Sequence, residues 1–200
     1  MMVLGRSIGN FEIGTAKTGQ TTAYGSGATG DDGYYEKGID HRFEVLTTGQ
    51  YSGTTNITIN AKTDVHSNEV VIDHARKLMW SRTYANSVGP SSNGTVPWTT
   101  NANGEGIFTY CAAANAANLS GHNDWRVANK NELADLCNLE APSNLPDATA
   151  FPSWSITYNL WTSSTVANTT ANSFYLSLTG GGIVSYLKTN ATGVVLVRSI

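Results

Sequence analysis

Apolar and polar positions change rhythm several times along this chain, and each change marks a new kind of element. From Arg42 to Asn60 the runs RFEVL and TTNITIN read as short strands, with Ile57 and Ile59 alternating against polar neighbours. EVVIDH, from Glu69, is another short β-rich run. KLMWSR, Lys77 to Arg82, follows after a break at Ala75 and Arg76, so the two read as a hairpin. A long polar loop occupies Thr83 to Gly104. Residues 105 to 119, EGIFTYCAAANAANL, switch to helical spacing: Ile107, Cys111 and Ala114 share one face, and Gly121 is placed to stop the helix.

A second helix is predicted from Asn129. NKNE offers an Asn cap and a Glu three residues later, a capping-box-like start, and Leu133, Leu136 and Cys137 form the buried stripe before Pro142 ends it. After a loop with three prolines, LWTSST, NSFYLSL, GIVSYLK and GVVLVRS are four runs of β-formers, the second and third joined by TGGG. Four strands in series imply an antiparallel meander. A hairpin, two helices packed together and a meander make an α+β domain rather than a βαβ one.

Residues 1–40 read differently. Gly14 to Gly38 is rich in Gly and Thr without helical or strand periodicity, so it is expected as an extended anchoring arm. The division expected is therefore an arm over 1–40, a β insert or oligomerisation segment over 41–68, and a compact domain over 69–200.

Composition narrows the function classes. Charged residues are 14% of the chain, against about 25% in a typical soluble domain. The polar surface is built instead from 25 Thr, 18 Ser and 19 Asn, side chains that suit turns and hydrogen-bonded contacts. A net charge of −3 with scattered basic residues argues against binding nucleic acid, which needs clustered Lys and Arg to displace counterions. No apolar run reaches the roughly 18 residues of a membrane span, and MMVLGRSIGNFEIG lacks the apolar core of a secretory signal, so neither membrane insertion nor export is expected. Cys111 and Cys137 fit neither a disulfide framework nor a CxxC metal pair; two buried thiols are the first reading and a single bridge the second.

The sequence carries no complete catalytic pattern. GSGATG, Gly25 to Gly30, matches G-x-G-x-x-G by letters but neither follows a strand nor opens a helix. His41, His66, His74 and His122 lack the spacing of a helical zinc pair, and Ser163 and Ser164 lack a nucleophile elbow. Glu132 and Asp135 are explained by the helix they begin. No enzyme, cofactor or metal is expected.

The order of motifs carries more information. VIDHARKLMWSR, the helix with Tyr110 and Cys111, GHNDWRVANKNEL, LWTSS and VVLVRS, from about Val70 to Arg198, together resemble the Lcl C-terminal domain family, named after a collagen-like bacterial adhesin. TGQTTAYGSGATGDDGYYEKG also looks like a leader seen ahead of such domains. The chain departs from the pattern at Ala128, where Pro is usual, and at Thr162, where Ser is commoner; residues 44 to 68 have no counterpart in it. The resemblance implies a C-type lectin-like fold, two helices against a twisted antiparallel sheet, and a role in binding or adhesion. It does not bring a calcium site. Calcium lectins use Glu-Pro-Asn or Gln-Pro-Asp loops with a Trp-Asn-Asp strand, whereas Asn123, Asp124 and Trp125 run in the reverse order.

Within that frame Trp80, Trp125 and Trp161 are expected in the core, Arg126 beside a carboxylate such as Asp73 or Glu132, and Arg198 in an ion pair or cap. Recognition is expected from loops: Tyr84, Asn86 and Trp98 in the first, Trp154 and Tyr158 in the second, and Asn168, Asn172, Tyr186 and Asn190 around the strand ends. The function expected is a binding or adhesion module of a bacteriophage virion, a head or tail decoration or host-attachment protein. Its arm would hold virion proteins, its lectin-like domain would meet a host-surface glycan or protein, and the chain would form a homo-oligomer. A bacterial surface or secreted adhesin is the alternative, and the variable receptor-binding protein of a diversity-generating retroelement a third.

Overall fold

A computed structural model describes residues 42–85, 95–138, 140, 146–154, 157 and 159–200. The arm expected over residues 1–40, together with Asn86 and Tyr158, lies outside them. The architecture is α+β, with mostly antiparallel sheets. Its centre is a five-stranded sheet of β1 (Phe43–Leu46), β4 (Val70–Asp73), β5 (Leu78–Ser81), β12 (Leu196–Ser199) and β7 (Arg126–Val127), in the order β1-β4-β5-β12-β7. The predicted EVVIDH/KLMWSR hairpin is β4 and β5, paired Val71 to Trp80 and Ile72 to Met79.

Apolar runs without alternation make strands that must be covered on both faces, and this sheet is. Val70, Ile72, Met79 and Leu196 face one core; Val71, Leu78, Trp80 and Val197 face the other. Helix α1 (Ile107–Ala116) buries Ile107, Tyr110, Cys111 and Ala114 in the first core. The short helix α2 (Lys130–Ala134) puts Leu133 into the second. The two helices thus serve different faces rather than packing together.

The C-terminal segment departs from a four-strand meander. β8 (Asn159–Thr165), β9 (Asn172–Ser177) and β10 (Gly182–Leu187) form a three-stranded sheet in the order β10-β9-β8, while a short β11 (Ala191–Thr192) pairs with β6 (Val96–Pro97). The last strand then crosses into the central sheet, between β5 and β7. The physical reason lies in VVLV: Val194 to Leu196 are fully buried, and such a segment is stable only between covered faces, whereas the mixed β10 tolerates an edge.

Residues 42–68 are built into the same body. β1 pairs with β4 at the end of the central sheet, and the hairpin of β2 (Thr54–Ile59) and β3 (Lys62–Ser67) buries Ile57 and Ile59 against α1 in the first core. The segment expected as an insert or oligomerisation strand therefore completes its own domain. The guanidinium of Arg42 grips Asp73, Nη2 to Oδ2 at 2.6 Å, and donates from Nη1 to the Asp135 carbonyl. Lys62 meets Glu105 at 2.6 Å just ahead of α1.

α1 stops earlier than Gly121 suggests. Asn118 takes the left-handed conformation at φ 51°, directly after the last helical turn, and its N–H donates to the Asn115 carbonyl. Asn tolerates that geometry better than other side chains bearing a Cβ, so it serves as the cap usually given to Gly. No described helix is long and apolar enough to cross a membrane.

Candidate functional site

The block Trp125 to Glu132 folds as predicted at α2 and then does more. The Asn129 side chain accepts from the N–H groups of Asn131 and Glu132, and the Glu132 carboxylate accepts from the Asn129 N–H, a complete capping box. The same carboxylate takes two bonds from Arg126, at 2.8 and 2.6 Å, so the arginine pairs with Glu132 while Asp73 is held by Arg42. Burial opposes the charged form of Glu132; the hydrogen bonds from Arg126 and Asn129 outweigh it and hold its carboxyl below the usual range. Glu132 in turn stabilises the arginine's charge.

Trp125 is locked from two directions. Its indole N–H donates to the Leu119 carbonyl at 2.9 Å. The Asn115 amide accepts from the Trp125 N–H at 2.8 Å and donates to the Trp125 carbonyl at 2.9 Å, which clips α1 to β7. The Cys111 thiol donates to that carbonyl at 3.1 Å.

Between these elements lies an open cleft of about 500 Å³. α1 lines one side with Phe108, Cys111, Ala112 and Asn115; Trp125, Arg126, Val127, Asn129 and Ser163 line the other. Phe108 stands at the rim, 43% exposed, on the flank of α1 beside its buried stripe. Its edge meets the half-buried Trp98 ring at 4.9 Å, in a perpendicular pair. Trp98 is fixed by its indole N–H on the Thr162 carbonyl at 2.8 Å, and Lys188 Nζ sits 4.3 Å from the ring centre. An aromatic ridge thus continues from the cleft toward β10.

The loop residues expected to bind are distributed unevenly. Trp98, Asn172, Tyr186 and Asn190 gather near one another, through the pairing of Leu187 with Asn172 and the Trp98 N–H on the Lys188 carbonyl. Tyr186 is 43% exposed and packs edge-on against Tyr175. Asn168 is exposed in the β8–β9 connection. Tyr84 and Trp154 are buried instead: both belong to the second core, where Trp154 tilts against Phe151 at 4.6 Å. Burying these rings removes the exposure that made them candidates, so they are corrected to core positions. Trp80 and Trp161 are fully buried, and Arg198 pairs with Asp124 at 2.6 Å.

None of the described loop candidates lines the cleft; Trp125 and Arg126, expected only as framing, do. Sequence reasoning did not single out Phe108 or Asn115, and it read Asn129 only as a helix cap and Ser163 only as a residue without a nucleophile elbow. One signal was available for Phe108: a large apolar side chain off the buried stripe of an amphipathic helix is out of place unless it serves contact.

The titratable groups of the cleft are already engaged. Burial pushes the Cys111 thiol up to about 11, so at neutral pH it is a protonated hydrogen-bond donor rather than a thiolate nucleophile. Glu132 is consumed by Arg126 and the helix cap. A second polar cluster lies in the first core: the Tyr110 hydroxyl reaches Asp64 at 2.6 Å and His66 Nδ1 at 3.0 Å, and Thr83 Oγ1 stands 3.2 Å from His66 Nε2. The order acid, imidazole, hydroxyl resembles a catalytic relay. Asp64, His66 and Tyr110 are nearly or fully buried, however, and tie β3 to α1 and the end of β5. Among the described residues, no three His, Cys, Asp or Glu are grouped to hold a metal ion.

The comparisons with known proteins agree with the motif order. No curated protein matches the chain. The family model for the Lcl C-terminal domain matches residues 69–198, which begins just before β4 and ends within β12, and so takes in both helices, the cleft and four of the five central strands. With that match over well over half its length, the chain belongs to the Lcl C-terminal domain family.

Proposed function

We propose that this chain is a non-enzymatic binding module on a C-type lectin-like platform, and that the cleft between α1 and β7 is its recognition site. The platform reading is supported by two helices on opposite faces of one sheet in which β4 and β12, the ends of the family region, lie one strand apart. The observation that carries the site is an open, mostly apolar concavity whose arginine is already neutralised by Glu132. Ligand sites are typically concave and apolar with a few polar groups that set orientation. An ion-paired guanidinium does not select anions by charge, so the ligand is uncharged and partly apolar. A saccharide ring, with its C–H face against Phe108 and its hydroxyls toward Arg126, Asn115 and Ser163, meets that description.

The test is a panel of immobilised neutral and sulfated glycans and host-surface proteins, probed with the wild-type chain, Phe108→Ala and Ala112→Trp. Loss of the neutral-glycan signal in both variants, with unfolding curves unchanged, supports the reading. Binding only to sulfated glycans, abolished by modest salt, refutes it.

For the setting we propose a bacteriophage particle, with the Gly- and Thr-rich residues 14–38 lying along a virion partner. Mass spectrometry of purified particles decides it: absence of the chain defeats the proposal. Recovery from the bacterial surface fraction instead would favour the adhesin alternative.

A further inference from the structure

We infer that β10 is a self-association edge, through which two copies of this chain pair antiparallel about a twofold axis to form a sheet continuous across both. β10 is the outer strand of its sheet, and no described strand pairs with its free side. Monomeric proteins protect such edges with charges, Pro or bulges. The six residues of β10, GIVSYL, contain none of the charged residues or Pro, and their register with β9 is unbroken. Val184, Tyr186 and Leu187 are 45%, 43% and 51% exposed, so half of the large hydrophobics exposed on the described chain lie on this one strand. The outer strands of the central sheet, β1 and β7, carry Glu44 and Arg126, charged residues of the kind β10 lacks.

The strand also fits itself. Hydrogen-bonded pairs alternate along an antiparallel ladder. The Lys188 N–H points inward, onto the Ala171 carbonyl, so Tyr186 and Val184 point theirs inward too. Ile183 and Ser185 then present N–H and C=O groups outward, and Leu187 its N–H, while the Leu187 carbonyl accepts from the Asn190 N–H in the following turn. A twofold axis at Ser185 sets Ser185 opposite its own copy and Ile183 opposite Leu187, giving roughly four ladder hydrogen bonds, from the N–H groups of Ser185 and Leu187 to the carbonyls of Ser185 and Ile183. Val184 falls opposite Tyr186 on the other face, an aliphatic–aromatic pair of the kind that stabilises sheets. Lys188, the nearest charge, falls opposite Gly182, where there is open space and no like charge. A register centred one residue away would offer inward-pointing groups instead. The pairing would present two clefts on one body and so raise avidity for repeated ligands without a new contact.

The experiment is sedimentation equilibrium of the full chain, with no ligand present, so that it succeeds or fails independently of the cleft. Wild type is expected to show a concentration-dependent dimer. Val184→Glu and Leu187→Lys, both at exposed positions, are each expected to weaken association at least tenfold while leaving the circular dichroism spectrum unchanged. Ser185→Cys is expected to form an interchain disulfide on mild oxidation that wild type, with Cys111 and Cys137 only, does not. A wild-type chain that stays monomeric at every concentration overturns the inference. So does a dimer indifferent to both charge substitutions and not trapped through residue 185.

Discussion

The hydroxyl of Tyr110 donates to Asp64 at 2.6 Å, and both side chains are fully buried. This bond joins α1, which belongs to the family region, to β3, which precedes it. It is reinforced by His66, which spans from Tyr110 to Thr83, and by Ile57 and Ile59 packed around it. The hairpin is thus held by a polar contact and an apolar one, each depending on the other to exclude water.

Tyr110→Phe keeps the ring and deletes the donor, leaving a buried carboxylate short of one hydrogen bond. The expected loss is about 1–3 kcal/mol in urea unfolding. Burial first, and the Asp64 charge second, raise the phenol well above its ordinary value, so phenolate absorbance from Tyr110 should emerge in alkali only as the protein unfolds.

Glu132 makes stability depend on acid. Its carboxyl titrates lower in the folded chain than the ordinary 4.5. A group depressed on folding adds stability that is present above its unfolded value and is lost as pH falls through the folded one. Stability measured by denaturant should therefore fall from about pH 5 to about pH 3, and Glu132→Gln should reduce that slope while lowering stability at neutral pH.

The two cysteines are free thiols, not a bridge. Burial raises Cys111 and Cys137 to about 11 each, with Asp135 adding to the effect at Cys137. A thiol-specific reagent at about pH 8 should modify them slowly in the native chain and rapidly in denaturant. Because both titrate higher when folded, they favour the native state below the ordinary thiol value of 9.0, and that contribution fades as pH rises toward about 11.

Asn129 caps α2 with two hydrogen bonds in a helix of five residues, too short to stand on propensity. Asn129→Ala should cost about 0.5–2 kcal/mol, and Asn129→Ser markedly less, by thermal or urea unfolding.

What could be read from the residues alone was local. The Asn129 to Glu132 box, the β4–β5 hairpin and the Ile107, Cys111, Ala114 stripe are set by contacts a few residues apart, where spacing encodes the partner. Motif order located the family region for the same reason. The crossing of VVLV into the central sheet, and the docking of β2 and β3 on α1, depend on partners far off in the chain, 46 residues apart for Asp64 and Tyr110, of which spacing carries no trace. The cleft was missed because concavity is a product of that long-range packing. Trp154 and Tyr84 were misassigned for a related reason: an aromatic in a loop is read as exposed until the element that covers it is placed.

The central claim is that residues 69–198 bind through the cleft between Phe108 and Arg126. The most direct measurement is the backbone and side-chain amide spectrum of isotope-labelled chain, titrated with the strongest neutral glycan from the panel. The account predicts saturable shifts at Phe108, Ala112, Asn115, Arg126 and Ser163, absent in Phe108→Ala. Shifts confined to the β8–β9 connection around Asn168, or unaltered by the Phe108 substitution, would contradict it.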